Sequence, residues 1–337
     1  MAKNVKLIDV TIRDGHQCLW ATRMTTGMMK EIAPRLDRAG FEAIDLVGGA
    51  VFDVCVRVLR ERMRILNTWI TETPLIIHTR GQSLFTFEFF SDDIVELAAE
   101  RFAANGMRYH TPYDALNDIR NLEIPIKAAK RHGLHVVPGI VYTDSPVHTD
   151  QYYAKKAMEL VKIGVDGIFL KDPSGLLTPE RIVTLVSALK KAIGKLPLQL
   201  HSHCLSGLAP YVALLAVEHG VDVVHTATSP LANGASHPPT ENFVRNCRRR
   251  GYNLDIDLAP INEAAELNTV GLEDRIEEIL EEAGNVRADL GYPIVVSPFA
   301  QYIITQAVLN VMAMDQGKQR FSSVPDEVRR YVRGGYG

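Results

Sequence analysis

The chain has 337 residues, a formal net charge of -3 and 46% hydrophobic residues. These values are typical of a folded protein and give it no overall positive field that would favour nucleic acid or an anionic membrane. The sequence contains no run of the ~18 uninterrupted apolar residues that would span a bilayer, and its first residues lack the apolar core of a signal peptide. We therefore expect a cytoplasmic protein with no membrane span.

Two further features of composition lead to simple expectations. The four cysteines are too sparse for a disulfide scaffold and show no CxxC spacing, so we expect reduced thiols. A basic run at 245–251, with the sequence RNCRRRG, is interpreted as the end of a helix, where cations complement the helix dipole, rather than as an RNA or phosphate patch.

Apolar, β-branched runs recur along the chain and alternate with segments of helical periodicity, several of which end in glycine. Eight strand-helix units in about 240 residues match a (β/α)8 or TIM barrel of the α/β class, and no glycine-rich phosphate turn follows any strand. After residue 254 the pattern becomes helical. We therefore predict a barrel over residues 1–254 and a small helical region over 255–337. The predicted strands are 6–12, 41–47, 74–80, 107–113, 135–143, 167–172, 197–203 and 221–228.

Polar residues follow most of these strands directly. Active sites of such barrels lie at the carboxyl ends of the strands, so these side chains are expected to converge on one mouth. They are Arg13, Asp14 and Gln17 after the first strand, Arg80 after the third, Asp114 after the fourth, Lys171 and Asp172 after the sixth, and His201 and His203 after the seventh.

The spacing of His201 and His203 places both imidazoles on one face of a strand. Together with Asp14 they would provide ligands for a divalent metal. The same pair would also suit two hydrogen-bonded structural histidines, and the spacing alone does not decide between these readings. His225, inside the eighth strand, is predicted to be a satisfied core residue.

Lys171 is harder to explain as a structural residue. An ammonium group beside a dication is poorly placed and would tend to lose its proton. The neutral amine can react with carbon dioxide to form a carbamate, whose oxygen would bind a metal. The alternative is a Lys171 and Asp172 pair that faces solvent.

Several motifs, in order and spacing, resemble the carboxyltransferase domain shared by pyruvate carboxylase, the oxaloacetate decarboxylase α subunit and the transcarboxylase that acts on pyruvate and oxaloacetate. The arginine-aspartate opening is also shared with the wider metallolyase barrels, including hydroxymethylglutaryl-CoA lyase and isopropylmalate synthase. The motifs are DVTIRDGHQCLWATRM, GGAVFD, YDALNDIRN, LKDPSGLLTP, HSH, SPLANGASHPPTE and RADLGYPIVVSPFAQYIITQAVLNV.

The resemblance implies a carboxyltransferase that moves a carboxyl group between biotin and a 2-oxo acid such as pyruvate or oxaloacetate, through a metal-stabilised enolate. It implies a divalent metal, zinc, manganese or cobalt, bound by Asp14, a carboxylated Lys171, His201 and His203. A biotin-independent, metal-dependent decarboxylase or lyase and a non-catalytic scaffold or regulatory subunit remain as alternatives.

The resemblance also assigns roles in the reaction. Gln17 matches a glutamine that touches the 2-oxo acid, Arg80 matches an arginine that binds the substrate and steadies the enolate, and Asp53 matches a residue of the catalytic pocket. Ser297, in the sequence VSP, keeps a hydroxyl where the family has a proton-shuttling threonine. Arg13 completes the expected substrate-binding set.

The chain departs from the family at several places. Phe87 stands where tyrosine is usual, Cys204 follows the HxH motif where aspartate is usual, and Val47 or its neighbour replaces a tryptophan. The sequence after residue 254 lacks the family's HQ-x-PGGM loop, and the chain has no AMKM biotinylation sequence. We therefore expect biotin to arrive on a separate carrier protein, with a biotin carboxylase as a further partner, and we expect a homo-oligomer.

Overall fold

The computed structural model describes residues 3–22, 24–48, 62–86, 88–269, 276–293, 299–315 and 317–334. Within these residues, nine strands form one parallel sheet. The strands are β1 Lys6–Asp9, β2 Ala43–Gly48, β3 Leu75–Thr79, β4 Met107–Pro112, β5 His135–Val136, β6 Gly139–Val141, β7 Ile168–Asp172, β8 Leu198–Ser202 and β9 Val223–Thr226.

The sheet curls into a barrel. Its strand order is β5-β4-β3-β2-β1-β9-β8-β7-β6, and the chain itself joins the two ends of this order through Val137 and Pro138. Val137 N donates to His110 O on one side, and Phe169 N donates to Pro138 O on the other. Since proline has no N–H to donate, the single predicted strand 135–143 is divided into β5 and β6. The barrel and the positions of the eight predicted strands are otherwise confirmed, except that the first strand, predicted over 6–12, ends at Asp9 and residues 11–12 lie on a short π-helix.

Helices follow the strands, as the sequence pattern predicts. The helix that ends in the basic run carries Arg248 and Arg249 in its last turn, which agrees with the interpretation of that run as a helix end. The helices of the first 269 residues, within the described ranges, are His16–Leu19, Thr26–Asp37, Arg62–Trp69, Asp92–Ala104, Arg120–Arg131, Asp150–Ile163, Pro179–Ile193, Ala209–His219, Thr240–Arg249 and Leu258–Thr269.

Two layers of apolar side chains hold the barrel together. Successive strand residues point to opposite faces, so one set meets the helices and the other fills the interior. Leu7 and Ile44 belong to the large outer cluster, whereas the neighbouring Ile8 and Ala43 belong to a separate smaller cluster. This packing fixes the strand ends, where polar residues begin.

The chain divides into two compact units, Met1–Asn268 and Thr269–Gly337. The second unit contains the helices Ile276–Asp289, Phe299–Asp315 and Asp326–Val332, which confirms a helical C-terminal region. A boundary at residue 254 stays a prediction. None of the helices in the described ranges is both long and apolar enough to cross a membrane.

Candidate metal centre

Asp14 lies on a short π-helix, Thr11–Gly15, directly after β1. The carbonyl oxygen of Val10 accepts from both Asp14 N, at 2.8 Å, and Gly15 N, at 2.9 Å, which closes the wider turn. Such turns are uncommon and frequently lie at functional sites. This turn keeps Asp14 2% exposed at the carboxyl end of the barrel.

The Asp14 carboxylate is held in its charged form. Burial opposes its ionisation, but Arg13, whose Nη1 lies 2.9 Å from Asp14 Oδ1, and the neighbouring His201 and His237 together hold the pKa of Asp14 well below its ordinary value. Asp45 Oδ2 lies 3.6 Å from the same Arg13 nitrogen, so the guanidinium is shared between two buried carboxylates. Oδ2 of Asp14 faces the neighbouring histidines.

The adjacent strands β7 and β8 deliver the other predicted ligands to the same place. Lys171 pairs with His201 in the register of the two strands, and Lys171 Nζ lies 2.9 Å from His201 Nε2. His201 Nε2 lies 3.2 Å and His203 Nε2 lies 3.5 Å from Asp14 Oδ2. The structure therefore brings together all four residues that the sequence singled out as metal ligands.

A third histidine, His237, joins this cluster and was not predicted. It comes from the loop after β9, is fully buried, and its Nε2 lies 2.8 Å from Asp14 Oδ2. One ligand atom from each of Asp14, His201, His203 and His237 lies within 4.8 Å of every other. The available signal in the sequence was the position of His237 in the SPLANGASHPPTE motif, which follows the eighth strand.

Neighbouring groups determine which nitrogen of His203 and His201 carries the hydrogen. Ala235 O lies 2.7 Å from His203 Nδ1, and because a carbonyl only accepts, Nδ1 must donate and Nε2 presents a lone pair. Gln199 Oε1 likewise accepts from His225 Nε2, at 3.1 Å, so His225 Nδ1 accepts from His201 Nδ1, at 3.0 Å. His201 Nε2 then also presents a lone pair towards Asp14.

The three residues Gln199, His225 and His201 thus form a hydrogen-bonded relay that ends at the cluster. His225 is 4% exposed and hydrogen-bonded at both nitrogens, which agrees with the prediction of a satisfied core residue. Two imidazole lone pairs and the Asp14 carboxylate therefore face one another, and this set of donors suits a divalent metal.

Both strand-end imidazoles are neutral at pH 7. Burial and the nearby Lys171 hold the pKa of His201 well below its usual range, while burial and His237 lower the pKa of His203 to about 3. Neutral imidazole is the form that binds a metal. The cluster therefore fits a divalent ion in donor type, protonation state and spacing.

Lys171 is enclosed rather than solvent-facing. It is 6% exposed, Asp172 is fully buried, and burial lowers the pKa of the Lys171 amine to about 8. Asp172 accepts from Ser202 Oγ, at 2.9 Å, and from two backbone N–H groups of its own loop. The alternative of a solvent-facing Lys171 and Asp172 pair is therefore wrong.

A glycine holds the loop after β7 against the site. Gly175 has a φ of +61°, and a Cβ at this position would lie 2.6 Å from His203 O. Any side chain there would strain the backbone and displace the residue that carries one imidazole. The LKDPSG motif thus requires glycine at this position, because the backbone of the loop lies in close contact with the backbone of His203.

The other predicted residues lie at the same end of the barrel with different surroundings. Arg80 follows β3, and its Nη1 donates to Phe85 O at 2.6 Å. Gln17 Nε2 lies 3.4 Å from Asp14 Oδ1, while its buried Oε1 has no hydrogen-bond partner among the described residues. Asp114 is engaged in its own loop, where it accepts from Leu116 N, Asp118 N and Asn121 Nδ2. Asp53, Ser297 and Phe87 lie outside the described residues.

A parallel α/β barrel with a buried aspartate-histidine cluster at the carboxyl ends of its strands defines a metal-site barrel of the TIM type. Two family models match the chain, one described as HMGL-like over residues 108–267 and one described as a conserved carboxylase domain over residues 261–337. The methylmalonyl-CoA carboxyltransferase 5S subunit of Propionibacterium freudenreichii is 32% identical over 92% of this chain and 70% of its own length. The chain belongs to the carboxyltransferase-domain family of pyruvate carboxylase and the transcarboxylases.

Other relatives are more similar but longer. A pyruvate carboxylase subunit of Methanocaldococcus jannaschii is 40% identical over 99% of this chain, which spans 66% of that relative's length. The 2-oxoglutarate carboxylase large subunit of Hydrogenobacter thermophilus is 35% identical, and the chain spans 58% of it. The solved carboxyl transferase domain of Rhizobium etli pyruvate carboxylase with pyruvate matches with a TM-score of 0.74 and 27% identity, over 97% of this chain and 64% of that one.

Proposed function

We propose that this chain is a carboxyltransferase subunit that moves a carboxyl group between biotin on a separate carrier and a 2-oxo acid such as pyruvate or oxaloacetate. The observation that carries the proposal is the buried cluster of Asp14, Lys171, His201 and His203 at the barrel mouth of a chain in this family. Relatives are named for carboxylating pyruvate and 2-oxoglutarate, both of which are 2-oxo acids.

Asp14, His201, His203 and a carbamate on Lys171 would hold the divalent ion, which we expect to be zinc, manganese or cobalt. When bound, such an ion supplies a Lewis acid for the carbonyl oxygen of the substrate. The position of Lys171 Nζ, 2.9 Å from the lone pair of His201, supports the assignment because a carbamate formed there begins next to the other donors.

Cationic and amide side chains would bind the substrate. Arg80 would direct guanidinium N–H groups to the carboxylate or enolate of a 2-oxo acid, in addition to its hydrogen bond to Phe85 O, and Gln17 would donate from Nε2, which lies 3.4 Å from Asp14 Oδ1. Arg13 stays a predicted substrate-binding residue, although in this structure its charge is balanced by the buried Asp14 and Asp45. Asp53 remains a predicted residue of the pocket.

The proposed transfer balances without an oxidant or a reductant. In the decarboxylating direction, the bond between the methylene carbon of oxaloacetate and its distal carboxyl group breaks, and the electron pair remains as the enolate of pyruvate. The carboxyl group forms a bond to the ureido nitrogen of biotin, which loses its proton. That proton ends on the methylene carbon and gives the methyl group of pyruvate, with Ser297 as the predicted carrier.

The proposed reaction determines which partner proteins the chain would require. The transfer requires a biotin carrier protein, and in the carboxylating direction it requires a biotin carboxylase that charges the carrier. Relatives named as carboxylase subunits support such an assembly. A homo-oligomer of this chain stays a prediction.

A test is the decarboxylation of oxaloacetate by the purified chain, with pyruvate measured by a coupled NADH assay, with and without free biotin. We expect biotin to increase the rate and a chelator to abolish it. A chelator-sensitive rate that biotin does not change would refute carboxyl transfer and support the biotin-independent decarboxylase. The same comparison with oxalosuccinate, whose decarboxylation yields 2-oxoglutarate, tests whether 2-oxoglutarate is the acceptor; a rate that free biotin increases would support it.

A further inference from the structure

We infer that His237 is a direct ligand of the metal beside Asp14, His201 and His203, so that these four unmodified side chains can bind the ion before Lys171 is carboxylated. This inference rests on the metal site of the proposed function and goes beyond it in naming the ligand set. It also predicts which ions the site selects.

The spacing of the donors supports a shared ion. Donor atoms bound to one ion at about 2.0–2.1 Å lie roughly 3.0–3.4 Å from one another. The Nε2 atoms of His237, His201 and His203 lie 2.8, 3.2 and 3.5 Å from Asp14 Oδ2. The His201 distance falls within this range, and the His237 and His203 distances lie within about 0.2 Å of its limits, so His237 is placed comparably to the two histidines of the HxH motif.

The rings also surround a common point. The His237 ring centroid lies 4.3 Å from that of His201 and 4.3 Å from that of His203, while the latter two are 5.2 Å apart. Since His237 comes from the loop after β9, it reaches the cluster from a different element than the other two histidines. The three rings thus enclose Asp14 Oδ2 instead of stacking along one strand.

The hydrogen position on His237 is free to suit a metal. His237 is fully buried, and its Nδ1 has no hydrogen-bond partner among the described residues. No described neighbour therefore forces the hydrogen onto Nε2, as a donor at Nδ1 would. In the absence of an ion, Nε2–H donates to Asp14. When Nε2 binds the ion, the hydrogen occupies Nδ1, which has no acceptor among the described residues, so the metal-nitrogen bond must exceed the cost of about 1–3 kcal/mol for a buried unpaired donor.

The three-imidazole set has consequences for metal choice. Imidazole suits zinc, cobalt and other later transition metals, whereas magnesium and manganese prefer oxygen donors. The site should therefore select zinc or cobalt over manganese and magnesium. Because four donors come from unmodified side chains, binding should not require carbon dioxide, and Lys171→Ala should still bind cobalt in buffer free of carbon dioxide.

The test compares His237→Gln with wild type and with His110→Gln. Glutamine can still donate to Asp14 but lacks an imidazole nitrogen, so it separates ligation from hydrogen bonding. His110 is a matched control because it is 2% exposed, bonds to Thr79 Oγ1 and, among the contacts of the described residues, has none with the cluster. The measurements are the cobalt dissociation constant, by competition with a chelator, and the d–d absorption of the bound ion.

We expect His237→Gln to weaken cobalt binding by more than about 100-fold, above the 10- to 100-fold loss typical of a residue that only orients a ligand. The d–d spectrum should change, and His110→Gln should match wild type in both. Pulsed EPR of copper-loaded wild-type protein should count three imidazoles, a result that does not depend on the folding of a variant. A count of two imidazoles by EPR, or wild-type cobalt affinity in His237→Gln, would overturn the role of His237 and leave the proposed metal site standing. Failure of the wild-type protein to bind metal would overturn the proposed metal site as well.

Discussion

Replacing Gln199 with leucine tests whether the relay through His225 sets the hydrogen position on His201. Gln199 is 3% exposed in β8, and its Oε1 accepts from His225 Nε2 at 3.1 Å. Leucine has a similar size but cannot accept a hydrogen bond. The substitution therefore removes the acceptor that fixes the relay while it keeps the strand packed.

Two responses are open to the variant, and both cost metal affinity or stability. If His225 keeps its hydrogen on Nε2, a buried donor is left without a partner, which costs about 1–3 kcal/mol. If the hydrogen moves to Nδ1 of His225, then His201 must carry its own hydrogen on Nε2 and loses the lone pair that faces Asp14. The variant adopts whichever response costs less free energy, and this cost sets the upper limit on the loss of metal affinity. We therefore expect about 10- to 100-fold weaker metal binding, or about 1.4–2.7 kcal/mol.

The assay is chelator competition for zinc or cobalt, combined with thermal melting of the apoprotein. Gln199→Glu is the matched variant, because a carboxylate still accepts from His225 Nε2 and strengthens the donor character of the relay. Glu should hold metal affinity within a few-fold of wild type while Leu loses it. Equal affinities and equal melting temperatures for wild type and the leucine variant would refute the relay.

Three further predictions concern substrate, carbamate and pH. Arg80→Lys should lose about 100-fold or more in kcat/KM for oxaloacetate, since an ammonium group cannot reproduce the guanidinium fork; near-normal kinetics would give Arg80 another role, and the exposed Arg101→Lys is the control. Lys171→Ala should lose activity that bicarbonate does not restore, and a crystal structure of the metal-loaded wild type should show density three atoms beyond Nζ; an unmodified lysine pointing away from the ion would contradict this. Burial raises the pKa of Asp9 from 3.8 to about 7. The neutral carboxyl group therefore contributes up to about 4 kcal/mol to the free energy of unfolding. This contribution is fully present below pH 4 and is lost as the pH rises to about 7. Asp9→Asn should remove this contribution, so the difference in unfolding free energy between the variant and wild type should change by up to about 4 kcal/mol between pH 4 and 7 in urea titrations, and a difference that does not change with pH would contradict the assignment.

Strand positions and strand-end residues could be predicted from the sequence because their signals are local. The alternation of side chains along a strand places His201 and His203 on one face wherever the strand lies, and the ring centroids are 5.2 Å apart. The barrel rule then gathers Asp14 and Lys171 at the same mouth. Asp114 also follows its strand as the rule expects, but its carboxylate accepts from backbone and side-chain donors of its own loop, which the rule does not predict.

The sequence by itself determined the barrel and the residues that end its strands, since hydrophobic periodicity and β-branched runs act over a few residues. The tertiary structure alone decided that His237 joins the cluster, because it lies 2.8 Å from Asp14 across 223 positions of chain and no local pattern encodes that approach. It also decided the protonation of the site. Burial, the Arg13 ion pair and the relay from Gln199 set the charge of Asp14 and the hydrogen position on His201, and each depends on neighbours from other strands.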